Sequence, residues 1–159
     1  MILLPNRRNF YLIILIISMI SIISALYIEY ILQYEPCKLC IYQRLPYMAA
    51  IFISFIGFNY SSNDKILIIL IMIFVLSAII SGYHFGIENN LFDELSACVN
   101  DSLDISNKSK LLESLSQSMP VNCKDATFKI LGVSLAAINT ILSVLIVIFS
   151  IRTLTYEKN

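Results

Sequence analysis

Four long runs of apolar residues constrain this chain more than any other feature it has. They occupy residues 10–28, 41–60, 66–85 and 130–151. A helix needs about 20 mostly apolar residues to cross the hydrocarbon core of a bilayer, and each run meets that length. Strands do not explain them, because a membrane barrel alternates apolar and polar positions and these runs are continuous. The composition agrees: 58% of residues are hydrophobic and 14% charged, with a mean hydropathy of +0.79, outside the usual range of soluble domains. The expected fold is an all-α membrane protein, a four-helix transmembrane bundle formed as one domain by all 159 residues. The second run carries Gln43, Arg44 and Pro46 in its first turns. A proline is tolerated there because its missing N–H has no helical partner to lose. The formal net charge of +0 offers nothing to nucleic acid.

Arg7 and Arg8 precede the first run much as the basic region of a secretory signal would. The run is too long for a signal core, lacks a small-residue cleavage site and leads into further spans, so it reads as an uncleaved anchor. Four spans put both termini and the short 59–65 link on one side. The loops at about 29–40 and 86–129 then lie on the other. Arg7, Arg8, Lys65, Arg152 and Lys158 flank the first side at close range, which the positive-inside rule makes cytoplasmic.

All four cysteines fall on the opposite, extracytoplasmic side: Cys37 and Cys40 in the first loop, Cys98 and Cys123 in the second. An oxidising compartment favours two disulfides, and four cysteines allow three pairings. Structural staples are the commonest role for such residues, and they suit Cys98 and Cys123, which bracket a polar loop. They suit Cys37 and Cys40 poorly, since a two-residue gap closes a tiny loop and removes little unfolded-state entropy. Such a pair more often forms a redox couple or half of a metal site. A four-cysteine zinc site usually takes two close pairs, and Cys98 and Cys123 are far apart. Redox chemistry therefore ranks above a metal, and no metal is expected.

The surroundings of Cys40 sharpen the redox reading. It sits at the outer, N-terminal end of the second span, where a helix favours an anion, and Arg44 lies one turn on along the same face. Both favour a thiolate, the form that attacks disulfides and electrophiles. Lys38 adds positive charge beside Cys37. The plainer role for Arg44 is a side chain snorkelling to the interface.

Three stretches together, EPCKLCIYQRLPY, SGYHFGIENN and NCKDATFKILGVSLAAIN, resemble the disulfide bond formation protein B (DsbB) family, in order and topology over nearly the whole chain. The most specific part is the cysteine arrangement with an arginine after CxxC. Lys38 and Leu39 make the centre of CxxC more basic than in many relatives. The resemblance implies a four-helix oxidase of the bacterial inner membrane that regenerates a periplasmic DsbA-like, thioredoxin-fold dithiol oxidase and passes electrons to quinone, either ubiquinone or menaquinone. It implies that Cys37 and Cys40 pair beside the quinone, with Cys40 touching the ring and Arg44 assisting. Cys98 and Cys123 would form the exchange pair, Cys98 making the mixed disulfide with the soluble partner. His84, the single histidine, matches a family histidine associated with quinone; a histidine at a span's end is also a common interface residue. Both pairs would be disulfides at rest.

Other polar features invite two readings each. Glu29 reads as a hydrated helix end or a group tuning proton delivery. Asn139 reads as a bond across helices, with Gly132, Ser134, Ala136 and Ala137 permitting close approach. Tyr42 and Tyr47 read as part of the interfacial aromatic belt. Leu111, Leu112, Leu115 and Met119 recur at helical spacing and suggest a short amphipathic helix in the second loop. Two rivals remain. A vitamin K epoxide reductase-like oxidase would place its loop cysteines before CxxC, and a non-enzymatic scaffold would carry two inert disulfides.

Overall fold

The computed structural model describes residues 6–60, 63–93, 123, 129–130 and 132–156. Its elements are α1 (Arg7–Tyr30), α2 (Lys38–Asn59), α3 (Asp64–Glu88), a two-stranded hairpin of β1 (Lys129–Ile130) and β2 (Val133–Ser134), and α4 (Leu135–Tyr156). All four helices are long and apolar enough to cross a membrane. The protein is a multi-pass, four-helix membrane bundle. Cys98 and the amphipathic stretch around Leu111 to Met119 lie outside the described residues.

The helices pack in chain order, α1 on α2, α2 on α3 and α3 on α4. Their outer faces are apolar: Ile20, Ile23, Phe52, Phe55, Ile79 and Ile141 are all exposed, as lipid-facing positions should be. Small polar residues line the contacts instead, with Ser18, Ser54, Ser77, Ser81, Ser143 and Ser150 buried. Lipid tails are as apolar as leucine, so a membrane bundle associates through close approach and interhelical hydrogen bonds. Ser77 and Ser143 hydroxyls bond across α3 and α4 at 3.0 Å, and Ser81 and Ser150 donate to carbonyls of their own helices. Gly57 lets α2 press on the ring of Tyr11, whose nearest atom is 2.6 Å from where a Cβ would stand.

Helix boundaries differ from the sequence expectation for local reasons. Cys37 caps α2, its Sγ accepting the Cys40 N–H at 3.2 Å, so the helix begins before residue 41. Pro46 then lies about two turns inside α2, beyond the first turn expected for it, and leaves the Tyr42 carbonyl without its usual helical donor. The fourth span begins at Leu135, not 130, because the hairpin diverts the preceding residues. Gly132 supplies the left-handed turn at φ +83° with open space around it, and Ser134 Oγ accepts the Ala137 N–H at 3.2 Å as a helix cap. Helix α3 runs through His84 to Glu88, one turn beyond the expected span.

Candidate functional site

The CxxC stretch sits where α2 starts, against the last turns of α3. Cys37 is fully buried in a cluster with Leu39, Ile87 and Cys123, against which Cys40 and Tyr83 pack. The fold thus brings a cysteine of the second loop onto the first pair. Cys123 is disulfide-bonded, while Cys37 and Cys40 carry free thiols. The resting state expected from resemblance has Cys37 and Cys40 oxidised; here their sulfurs are 2.8 Å apart and hydrogen-bonded to each other.

Cys37 is the sulfur built to carry negative charge. Its Sγ shares a hydrogen bond with the Cys40 thiol, faces His84 Nε2 at 3.6 Å, and accepts the Cys40 N–H. The Cys40 thiol is the strongest influence; with His84 and the amide it outweighs burial, which acts upward, and holds Cys37 down at about 5. The sequence points to a thiolate at Cys40. Tertiary packing adds the His84 ring beside Cys37, which no spacing along the chain reveals.

A chain of hydrogen bonds fixes His84. Tyr47 donates to Asn139 Oδ1 at 2.5 Å, Asn139 Nδ2 donates to Gln43 Oε1 at 3.0 Å, and Gln43 Nε2 meets His84 Nδ1 at 2.9 Å. With both amides so oriented, Nδ1 accepts and the ring proton sits on Nε2. That proton faces Cys37 Sγ and the Cys123 carbonyl, 3.2 Å away. Glu88 follows His84 by one helical turn, its Oε1 3.7 Å from Nε2. Arg44, expected to face Cys40, pairs its guanidinium with Glu29. Tyr47 is buried at 4% exposure, inside the bundle and not in the aromatic belt, whereas Tyr42 is exposed.

These groups converge on a cavity of about 610 Å³. It opens between α1 and α4, which are not among the extensively packed helix pairs. Cys40, Gln43, Arg44, His84, Glu88 and Asn139 line its polar end, and Ile20, Ile28 and Leu142 belong to its apolar wall. Sites for small organic molecules commonly have this form, apolar walls with a few convergent polar groups. Cys37, Cys40 and His84 also bring their ligand atoms within 4.8 Å of one another.

Gln43 and Glu88 had no assigned role from sequence. The signals were present: Gln43 and Tyr47 are four apart on α2, as are His84 and Glu88 on α3, the spacing that puts side chains on one helix face.

Residues 7–153 match the family model described as "Disulfide bond formation protein DsbB". A protein of Rickettsia prowazekii (strain Madrid E), described as "Uncharacterized protein RP370", is 32% identical over 155 residues, covering 93% of this chain and 88% of its own length. No solved structure matches.

Proposed function

Because the chain belongs to the DsbB family, a family of membrane disulfide-bond formation proteins, we propose that it reoxidises a periplasmic DsbA-like thioredoxin-fold dithiol and passes the electrons to a membrane quinone, ubiquinone or menaquinone. The setting is a bacterial inner membrane, with both termini cytoplasmic and the cysteines periplasmic. The observation that carries this reading is the cavity between α1 and α4, with Cys40 and Arg44 in its wall and the apolar side chains of Ile20, Ile28 and Leu142 around it. A lipid-soluble acceptor fits its apolar wall.

The exchange steps follow from thiol chemistry. A partner thiolate attacks Cys98 of the Cys98 to Cys123 disulfide and Cys123 leaves as thiolate; the partner's second thiolate resolves the mixed disulfide and the partner departs oxidised. The reduced loop pair then attacks the Cys37 to Cys40 disulfide, reducing it and regenerating its own bond. Burial of Cys123 in the same cluster as Cys37 makes this transfer short.

Bound quinone supplies an acceptor for two electrons and two protons. Cys40 lines the cavity and presents its sulfur, while Cys37 stays buried behind it as the thiolate that closes the disulfide when the pair is oxidised. His84 holds that thiolate by its Nε2 proton, and the Gln43, Asn139 and Tyr47 chain keeps the proton on Nε2. Arg44, neutralised by Glu29 at the polar end of the cavity, orients an acceptor oxygen and balances charge developing there.

The test is anaerobic turnover of purified protein with a reduced thioredoxin-like dithiol partner and a soluble quinone followed by absorbance. Wild-type protein is expected to reduce quinone, and Cys40→Ser and Cys98→Ser are each expected to fall to the uncatalysed rate. Folded protein that reduces no quinone with any of several partners overturns the reading.

A further inference from the structure

The end of α3 presents a ligand set that thiol exchange alone does not account for. Cys37 and Cys40 are two residues apart in a loop-to-helix cap, and His84 and Glu88 are one turn apart on a single helix face. A short cysteine pair facing a helical His and carboxylate is a donor set of the kind that holds zinc. In a tetrahedral site with Zn–S of about 2.3 Å and Zn–N of about 2.0 Å, neighbouring S and N ligands stand about 3.6 Å apart and two sulfurs about 3.8 Å. Cys37 Sγ and His84 Nε2 already stand at 3.6 Å. The sulfurs, at 2.8 Å, need to part by about 1 Å on binding.

Glu88 adds a second, independent observation. Its Oε1 is 3.7 Å from His84 Nε2, and its Oε2 is buried with no hydrogen-bond partner among the described residues. A buried carboxylate oxygen without a donor is costly, and a cation supplies the partner it lacks. The amide chain behind His84 suits both forms of the ring. If Nε2 binds a metal, its proton moves to Nδ1, and Gln43, Asn139 and the Tyr47 hydroxyl can reverse together, each link swapping donor for acceptor, while the Nε2 contact to the Cys123 carbonyl is given up. A ligating histidine held by such a partner is the usual arrangement behind a metal.

We propose that the protein with Cys37 and Cys40 reduced binds one zinc ion through Cys37, Cys40 and His84, with Glu88 as the fourth ligand, and that the ion withdraws the dithiol from turnover. Binding displaces the thiol protons of Cys37 and Cys40 and involves no change in oxidation state. The mixed sulfur, nitrogen and oxygen set favours zinc over copper(I), which selects thiolates and thioethers. The cavity lined by Cys40, His84 and Glu88 gives the ion its route in. The binding stands on the geometry alone; its inhibitory consequence rests on the redox function proposed above.

The experiment uses full-length protein carrying Cys98→Ser and Cys123→Ser, so that Cys37 and Cys40 are the only thiols, reduced anaerobically and freed of reductant. Cobalt(II) serves as the spectroscopic probe and zinc is then titrated against a chromophoric chelator. One cobalt per chain is expected, with thiolate charge-transfer absorption and tetrahedral d–d intensity, both lost in Cys40→Ser and on oxidation to the disulfide. Zinc affinity is expected to fall about tenfold or more in His84→Ala and in Glu88→Gln, with circular dichroism verifying the helical fold of each variant. An octahedral cobalt spectrum, binding that survives oxidation, or an affinity unchanged in either variant overturns the site. In wild-type turnover, zinc at its dissociation constant is expected to halve the rate and a chelator to restore it. Intact binding with undiminished turnover overturns the inhibitory role and leaves the oxidase reading standing.

Discussion

The two ends of the bundle are made of the same four helices and solve opposite problems. At the end that holds the termini, aromatic and aliphatic side chains close the interior: Phe10, Tyr11, Ile14, Leu67, Leu70 and Phe74 are buried together. The charges there are locally partnered, with the buried Arg7 reaching Asp64 at 2.6 Å and Arg8 lying over the Phe58 ring at 4.4 Å. At the cysteine end the same positions carry thiols, amides, an imidazole and carboxylates around an open cavity. Every polar group in the Tyr47 to Cys37 chain is paired with the next. A membrane protein can keep such a network in its interior only if its members satisfy one another, because no water is there to do so. The closed end provides rigidity; the open end spends it on placing a histidine proton beside a sulfur.

Substitutions can pull the two ends apart. Gly57→Leu should have the largest effect on stability, since its Cβ overlaps the Tyr11 ring; overpacking of this kind costs about 1–3 kcal/mol. Thermal unfolding in detergent should show it, with turnover per folded molecule unchanged. If turnover falls along with stability, the ends are not separable in this way.

Gln43→Leu attacks the other end. It leaves His84 Nδ1 and Asn139 Nδ2 without partners, at a cost of about 1–3 kcal/mol for unsatisfied buried groups, and lets the ring proton move to Nδ1. Quinone reduction should fall about tenfold, the equivalent of about 1.4 kcal/mol in the barrier. Turnover that stays at the wild-type rate would remove the amide chain from the mechanism.

A gentler probe is pH. Cys37 is held down at about 5, whereas an unfolded thiol titrates at about 8.5. A depressed acid contributes stability that is fully present above the unfolded value and is lost as pH falls through the folded one. Reduced protein should therefore lose stability relative to Cys37→Ser between about pH 8.5 and pH 5. Thiolate ultraviolet absorbance should titrate near the lower value and shift upward in His84→Ala. No difference between wild type and Cys37→Ser across this range would place the charge elsewhere.

The smallest effect belongs to Arg8→Ala. Arg8 is exposed and lies over the Phe58 ring at 4.4 Å, and a cation–π contact at an exposed site is worth about 0.5–1 kcal/mol. Unfolding temperature measured at low and high salt should differ little between variant and wild type.

Membrane residence, the number of spans and the placement of CxxC beside a span were legible in the sequence because each depends on local, additive properties. Apolar length decides whether a helix crosses a bilayer, and the spacing of Cys37 and Cys40 decides that the two sulfurs can meet. The element boundaries were less legible where a few residues override hydropathy, as Gly132 and Ser134 do in starting α4 at Leu135. Asn139 read correctly as a group bonding across helices, but its partners and the other cross-helix pairings were not legible. Arg44 has Cys40 one turn before it, but tertiary packing brings Glu29 to its guanidinium. Tyr47 reads as an interfacial tyrosine until α4 sets Asn139 against its hydroxyl. The sequence by itself determined that this chain would be a membrane bundle bearing a dithiol at one edge, since bilayer solvation acts on each segment separately. Which groups surround the two sulfurs only the tertiary structure decided, because short-range hydrogen bonds between α2, α3 and α4 depend on helix rotation and depth that no single segment encodes.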